Sequence, residues 1–159
     1  MRSVSLLVVL FVGTAYTQFL QVASSAVTFE NCTGFVSDAA KENFRFTHTG
    51  TDANTVFLGQ SLKVDISAVV DTTNPAVIVQ SLDIATVRAD NGADEPTMST
   101  SQNYNSPITK EPTDLGFTFE IPMYAEATSY VSELRFTGSI GTTVNKAIGC
   151  LKMKYAITS

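Results

Sequence analysis

The stretch Ser61-Leu-Lys-Val-Asp-Ile-Ser-Ala-Val-Val70 decides the fold class, because its apolar and polar side chains alternate. Successive side chains of a β-strand point to opposite faces, so Leu62, Val64 and Ile66 would share one face while Lys63 lies on the other. This period of two is typical of a strand that buries one face and exposes the other to water. The segment therefore predicts a half-buried β-strand.

Alternation also recurs on both sides of this segment. The further apolar positions are Phe44 and Phe46, then Phe117, Phe119 and Ile121, then Leu134 and Phe136, and finally Leu151, Met153 and Tyr155. The segment from Ala76 to Val87 is a long strand whose apolar phase changes between Val79 and Leu82, which predicts a β-bulge. No segment carries an amphipathic helical stripe with caps. We therefore predict an all-β domain with seven or eight strands in two antiparallel sheets.

Turn residues separate the predicted strands at 58–60, 71–75 and 138–143. The stretch from Arg88 to Asp114 breaks this rhythm, because it contains several Asn, Pro, Ser and Thr residues and little apolar content. A loop of this length is either functional or mobile. We therefore expect one long loop here.

The chain opens with features of a secretory signal peptide. Arg2 precedes a short apolar run, Leu6 to Val12, and small residues suitable for cleavage follow. We predict cleavage after Ala26, with Ala15 as the alternative, so that 1–26 is the signal peptide and 27–159 the domain. This places the protein outside the cell, with the lysosome or another endomembrane lumen as the alternative.

The charge balance excludes one class of partner. Cleavage after Ala26 removes only Arg2 of the 10 basic residues and leaves about 133 residues with all 15 acidic ones, a net charge of about −6. No basic cluster is present that could neutralise a phosphate backbone. Nucleic-acid binding is therefore not expected.

The residues that would support catalysis or metal binding are few. His48 is the one histidine, and no serine lies in a G-x-S-x-G elbow, so we predict a protein that is not an enzyme and needs no cofactor. We interpret His48 as an exposed strand-end residue. One histidine cannot supply a zinc site, and the cluster Asp90, Asp94 and Glu95 lacks EF-hand spacing. We interpret that cluster as a solvated acidic turn, so no metal is expected.

The two cysteines, Cys32 and Cys150, lie near opposite ends of the predicted domain. Thiols of exported proteins meet an oxidising compartment and tend to pair, and two cysteines allow a single internal bridge. We predict that bridge, the alternative being two buried free thiols. Asn31-Cys-Thr33 matches the N-glycosylation pattern and makes Asn31 a candidate acceptor.

Three segments carry a resemblance to a known family. They are Val27-Thr-Phe-Glu-Asn-Cys32, Leu58-Gly-Gln-Ser-Leu-Lys-Val-Asp-Ile66, and Ser129-Tyr130 onward to Ala147-Ile-Gly-Cys-Leu-Lys-Met153. In this order they resemble the ML (MD-2-related lipid-recognition) domain, closest to its ganglioside-activator and Niemann-Pick type C sterol-carrier branches. The resemblance implies an immunoglobulin-like two-sheet β-sandwich with a lipid cavity between the sheets, and it also implies pairing of the first and last cysteines.

The resemblance further implies a function, and the inward-facing residues of the predicted strands are the candidates for ligand contact. The protein would sequester, transfer or present a sterol, phospholipid or glycolipid, as a monomer that touches membranes transiently and whose protein partner, if any, is unknown. The expected cavity-lining residues are Phe44, Phe46, Leu62, Val64, Ile66, Phe117, Phe119, Ile121, Leu134, Phe136, Leu151, Met153 and Tyr155. Two alternatives stay open: an immunoglobulin-like adhesion or host-interaction module with a dry core, and a cofactor that helps a hydrolase reach a membrane lipid.

Overall fold

A computed structural model of the chain describes residues 26–90 and 98–159. The predicted signal peptide lies outside the described residues except for Ala26, and so do Asp94 and Glu95 of the predicted acidic turn. Both of those assignments therefore stay predictions. Asp90, which is described, forms an ion pair with Arg88, with 2.8 Å between Oδ2 and Nη2.

The described residues form ten strands and one short turn of 3₁₀ helix, Ala40–Glu42. The strands are β1 Thr28–Asn31, β2 Arg45–Thr51, β3 Val56–Phe57, β4 Ser61–Val69, β5 Val77–Arg88, β6 Met98–Ile108, β7 Thr113–Asp114, β8 Phe117–Glu120, β9 Ser129–Ile140 and β10 Thr143–Thr158. The prediction of seven or eight strands is thus too low. The sequence pattern did not reveal the short strands β1, β3 and β7 or the long strand β6.

The strands form two sheets packed face to face. The large sheet has the order β1-β10-β9-β5-β6, with β3 joined in parallel to the end of β10. In the small sheet β4 lies between β2 on one side and β7 and β8 on the other. All pairings other than that of β3 are antiparallel, so the predicted all-β sandwich of two antiparallel sheets is confirmed.

The core lies between the two sheets and follows the predicted alternation. In β4, Leu62, Val64 and Ile66 are fully buried, whereas Lys63 is exposed. The facing residues of the large sheet include Phe136, which is also fully buried. Burial of such side chains supplies about 1.5–3 kcal/mol each relative to exposure, which is the main stabilisation of a fold of this type.

The predicted bulge in β5 is confirmed. Val79 faces Gly138 of β9, but Ser81 faces Thr137, so β5 carries one extra residue at this point. A Cβ on Gly138 would lie 1.9 Å from the carbonyl oxygen of Ile78, and only glycine therefore permits this close approach. The turn predicted at 138–143 is correspondingly shorter, because β9 continues to Ile140.

The prediction of one long loop from Arg88 to Asp114 is wrong, because β6 and β7 lie within this stretch. Thr100 and Gln102 face Ile84 and Leu82 of β5, both of which are buried, yet Thr100 and Gln102 are exposed. The small sheet covers β6 only in part: Met98 and Tyr104 pack against the core and Ile108 is buried, but residues 99–103 are exposed. Over 99–103 both faces of β6 are polar, so this stretch shows no alternation.

The predicted disulfide is confirmed: Cys32 and Cys150 are bonded, with 5.5 Å between their Cα atoms. Cys32 directly follows β1 and Cys150 belongs to β10, so the bridge joins neighbouring strands of the large sheet and does not link the two sheets. Such a bond is compatible with an extracellular or lumenal protein. Within residues 26–90 and 98–159, no helix has the length and apolar content needed to cross a bilayer.

Candidate functional site

The two sheets part along the side where β1 and β10 face β2. Among the described residues, β2 pairs with β4 and β1 pairs with β10, and no ladder joins β1 to β2. We call this gap the aromatic seam. Here the sheets are held together by side-chain contact, which is the place where a sandwich could admit a ligand.

A pocket of about 300 Å³ opens into the aromatic seam. It is lined by Asn31, Cys32, Phe35, Ser37, Phe44, Arg45, Phe46, Ile148, Gly149 and Cys150. Three of these side chains are phenylalanines, and each of the three is only partly buried. The pocket therefore offers an apolar surface that water can reach.

A second depression of about 220 Å³ continues along the same seam. Its walls are Phe29, Glu30, Asn31, Phe46, Thr47, His48, Thr49 and Leu151. Asn31 and Phe46 border both spaces, so the two spaces are adjacent. We call this combined space the groove.

Aromatic rings connect the groove to the core. The ring centroids of Phe44 and Phe46 lie 5.2 Å apart in an edge-to-face arrangement, and those of Phe46 and Phe136 lie 5.3 Å apart. Phe136 is fully buried between the sheets. The three rings thus lead from solvent to the centre of the sandwich, with contacts that are favourable for aromatic pairs.

Gly149 makes room for these rings. A Cβ at this position would lie 2.7 Å from Cζ of Phe46 and 2.8 Å from Cε1 of Phe44, closer than side chains approach. Any other residue at position 149 of β10 would therefore displace the rings of Phe44 and Phe46. Gly149 belongs to the Ile-Gly-Cys run of the sequence, but the sequence alone gave this glycine no role.

The segment between Cys32 and β2 forms the rim of the groove. Ser37 Oγ donates a hydrogen bond of 2.5 Å to the carbonyl of Ile148, and the backbone N–H of Ala147 donates to Asp38 Oδ2 over 2.8 Å. These bonds fix the segment to β10 at an irregular point of its ladder. Phe35 consequently points into the pocket, while its neighbour Val36 is 81% exposed.

The charged residue at the rim is neutralised locally. Arg45 Nη1 lies 2.7 Å from Asp71 Oδ1 and also donates to the carbonyl of Asn43. The hydrogen bond from Arg45 holds the pKa of Asp71 below its usual range. Because both side chains are exposed, this pair contributes little to stability.

Sequence comparison adds no relative. No family model and no curated protein sequence matches this chain. The function is therefore argued from the groove and from the sequence features described above.

The structure separates the thirteen expected cavity residues into two groups. Phe44 and Phe46 lie in the groove and are partly buried. The other eleven belong to one packed core and are at most 5% exposed: Leu62, Val64, Ile66, Phe117, Phe119, Ile121, Leu134, Phe136, Leu151, Met153 and Tyr155. Leu151 also borders the groove. Phe35, Ile148 and Gly149 were missed, because their segments lack periodicity or are irregular.

Neither His48 nor the cysteines form a reactive arrangement in the part of the chain that is described. His48 lies within β2, not at its end as expected, and is exposed beside Gly50. A carboxylate oxygen of Glu133 lies within 4.8 Å of both Cys32 and Cys150 sulfurs. Those sulfurs are bonded to each other and are therefore not thiolate ligands for a metal.

Proposed function

We propose that this protein binds a lipid by enclosing its apolar chain in the groove between the two sheets. The observation that carries this proposal is the pocket of about 300 Å³, walled by Phe35, Phe44 and Phe46, at a seam that no backbone ladder closes. The resemblance to the ML domain supports the same ligand class. This function requires binding alone and no covalent chemistry.

The volume of the groove sets how much ligand it holds as it stands. Small-molecule sites usually span roughly 300–1,000 Å³, so this pocket is at the lower end of that range. Removing about 200 Å² of apolar surface from water would contribute about 5 kcal/mol before ordering costs. The pocket as it stands therefore suits a short chain, or the end of a longer one.

A longer chain would need the rings to move. Phe46 lies between the groove and Phe136, so rotation of Phe46 would extend the groove into the core. The buried residues expected to line the cavity, such as Leu134 and Met153, would then contact the ligand. This opening requires no break in a backbone ladder, because β1 and β2 are not paired.

Transient membrane contact and glycosylation are part of the same proposal. Val36 is 81% exposed at the rim of the groove and would touch the apolar layer of a bilayer when a lipid enters. Asn31 is exposed at the end of β1 and borders the groove, so it is accessible for a glycan. We place this binding protein in the extracellular space, with an endomembrane lumen as the alternative.

Lipid analysis tests the proposal directly. The mature domain is expressed by secretion, extracted with organic solvent and analysed by mass spectrometry, and its binding of a dispersed fluorescent fatty acid is measured. We expect a stoichiometric co-purified lipid or saturable binding. Absence of both in folded protein would contradict lipid binding.

Two adjacent substitutions give a matched test of the groove. Phe35→Asp places a carboxylate beside Phe44 and Phe46 in the pocket and should weaken fatty-acid binding at least tenfold, because a bound acyl chain would bury this charge without a partner. Val36→Asp adds the same charge one residue away, on an exposed side chain, and should leave binding of dispersed ligand unchanged. The same Val36→Asp variant should slow lipid transfer from vesicles, since this step involves membrane contact. Equal unfolding midpoints would show that both variants fold.

A second function, a host-interaction or adhesion module, is favoured by a separate observation. Phe57, Met123 and Tyr124 are exposed, and the Met123 sulfur packs against Gly59, so these apolar side chains share one end of the sandwich. Large exposed apolar groups often mark protein-binding surfaces. Replacing Met123 and Tyr124 with serine should abolish binding to a protein receptor without affecting lipid binding. A folded domain without lipid but with such binding would favour this alternative.

A further inference from the structure

The strand β6, Met98–Ile108, forms one edge of the large sheet. Among the described residues, β5 is the only strand that pairs with it. On its other side, the Thr113 hydroxyl donates to the carbonyl of Pro107 over 3.2 Å, so the small sheet occupies that end of the edge. Within residues 26–90 and 98–159, no strand pairs with the other side of the 98–106 backbone, and such an edge is a template for another strand.

Two other edge strands of the sandwich, β1 and β2, are protected by short length or by charge. β1 has only four residues and carries Glu30, whose carboxylate binds Lys154 over 2.8 Å. β2 carries Arg45 and His48, and both are exposed. Short length and charge are the usual devices that prevent strands from pairing between molecules. β6 has eleven residues and no charged side chain.

The side chains of β6 suit pairing with a copy of itself. Residues 99–103 are Ser, Thr, Ser, Gln and Asn, and all five are exposed. These side chains both donate and accept hydrogen bonds, so identical residues can satisfy each other across two strands. No like charges would meet in such a pair. A charged partner, by contrast, would find no complementary charge on β6.

We propose that two copies of this protein associate through β6, pairing antiparallel about a two-fold axis perpendicular to the large sheet. Such an interface is isologous, and it turns the two large sheets into one continuous sheet. Gln102 is the middle residue of the free stretch 98–106, and the axis passes there. Gln102 then faces Gln102 of the second copy, and Ser101 faces Asn103 of the second copy.

This association is independent of the groove. The sheet order places β1 and β6 at opposite edges of the large sheet, so a second copy on β6 leaves the aromatic seam open. The monomer expected from the sequence took no account of this sheet edge, because β6 was interpreted as part of a loop. A strand pair of this length buries mainly backbone, so the dimer should be weak and its population should depend on concentration.

Sedimentation analysis across a wide concentration range tests the proposal on the mature chain. Wild-type protein should shift from monomer to dimer. The double variant Ser101→Lys and Asn103→Lys puts lysines opposite each other and should weaken association at least about tenfold. The control Ala127→Lys and Ser129→Lys adds the same two charges with the same spacing, at exposed positions outside β6, and should associate like wild type.

A cross-linking experiment tests the register. The native cysteines are bonded to each other, so the Gln102→Cys substitution would introduce the one free thiol of the variant. Facing residues of antiparallel strands have Cα atoms about 4.5–5.5 Å apart, within reach of a disulfide. Gln102→Cys should form a disulfide-linked dimer on oxidation, and Ser129→Cys should not. A monomer at every concentration, a dimer that the β6 lysines leave intact, or equal cross-linking of both cysteine variants would overturn the proposal.

Discussion

The two sides of the sandwich are closed by different kinds of interaction. At the aromatic seam, β1 and β10 face β2 across the rings of Phe44 and Phe46. At the opposite side, which we call the polar seam, β6 of the large sheet faces β7 and β8 of the small sheet. There the Tyr104 hydroxyl donates to the carbonyl of Leu115 over 3.1 Å, with the carbonyl of Gly116 at 3.3 Å. Aromatic rings close one side, and hydrogen bonds from Tyr104 and Thr113 close the other.

This difference determines which side can open for an apolar ligand. Contacts between rings are non-directional, so an inserted chain can replace them with similar contacts. A hydrogen bond has a fixed geometry, and an apolar chain inserted between its partners would leave the carbonyl and the half-buried hydroxyl without a partner. The polar seam also borders a depression of about 410 Å³ that includes Lys63, Asp65 and Asp114. The aromatic seam is therefore the side at which we expect lipid to enter.

Removal of the disulfide should have the largest effect and should act on one seam only. The bridge closes a chain separation of 118 residues, so the variant Cys32→Ala and Cys150→Ala should lose about 3–5 kcal/mol of unfolding free energy. β1 is a short edge strand beside the bridge, and its amides should lose hydrogen-exchange protection. The amides of β6 should lose no more hydrogen-exchange protection than the lower global stability causes. Equal local loss in both strands would contradict this separation.

Alkaline pH should weaken the polar seam and the core before it affects the aromatic seam. Burial raises the pKa of Tyr155 to about 12, and burial together with Asp114 raises the pKa of Tyr104 to about 12, from 10.0 for a free tyrosine. The neutral phenols therefore stabilise the fold below pH 10, and this contribution is lost as the pH rises towards about 12. For Tyr155 the loss is about 3 kcal/mol.

Tyrosinate absorbance and unfolding free energy, both measured against pH, check this expectation. Tyr155→Phe should remove the share of the pH dependence of stability between pH 10.0 and about 12 that comes from Tyr155, and should leave the share that comes from Tyr104. Ionised Tyr104 can no longer donate to Leu115, so amides near 115–116 should exchange faster over the same range. An unfolding free energy that stays constant through this range would contradict both assignments.

Gly149→Ala should act on the aromatic seam with an intermediate effect. The new methyl group would displace the rings of Phe44 and Phe46, which should cost about 1–3 kcal/mol and narrow the groove, so binding of dispersed fatty acid should weaken. Gly116→Ala is the matched control at the polar seam, where a Cβ would lie 2.9 Å from the carbonyl oxygen of Val64. It should destabilise the fold without changing binding. Equal effects of the two variants on binding would show that overall stability, not the groove, controls it.

The sequence predicted those parts of the fold in which one face of a strand is buried. In β4 the alternation of Leu62, Val64 and Ile66 with polar residues matches the burial of each side chain. In β5 the phase change predicted the bulge opposite Gly138. β6 escaped the same reasoning, because residues 99–103 are polar and exposed on both faces and only Met98, Tyr104 and Ile108 contact the core. Periodicity reports burial and therefore misses an exposed edge strand.

The groove was predicted only in part, for a different reason. Phe44 and Phe46 were recognised by alternation, but Phe35 lies in a segment that hydrogen bonds to β10 hold in place. Those bonds join residues more than a hundred positions apart, and no local pattern encodes them. The remaining expected residues are apolar and inward as predicted. The strand period shows which side chains point inward, but it does not show whether an inward side chain contacts the core or a ligand.

Tyr104→Phe should have the smallest effect and gives the sharpest test of the difference between the seams. The substitution removes one hydroxyl and keeps the ring, so the loss of the bond to Leu115 should cost about 1 kcal/mol. Tyr124→Phe removes a hydroxyl from a side chain that is 82% exposed and should cost nothing measurable. Chemical unfolding of both variants measures this difference.

Lipid binding gives the second readout of Tyr104→Phe. If ligand enters between β1 and β2 and the polar seam stays closed, Tyr104→Phe should exchange lipid between vesicles at the wild-type rate. Faster exchange in Tyr104→Phe but not in Tyr124→Phe would mean that the hydrogen bond to Leu115 limits entry. That outcome would reverse the roles of the two seams, because the hydrogen-bonded side would then be the one that opens.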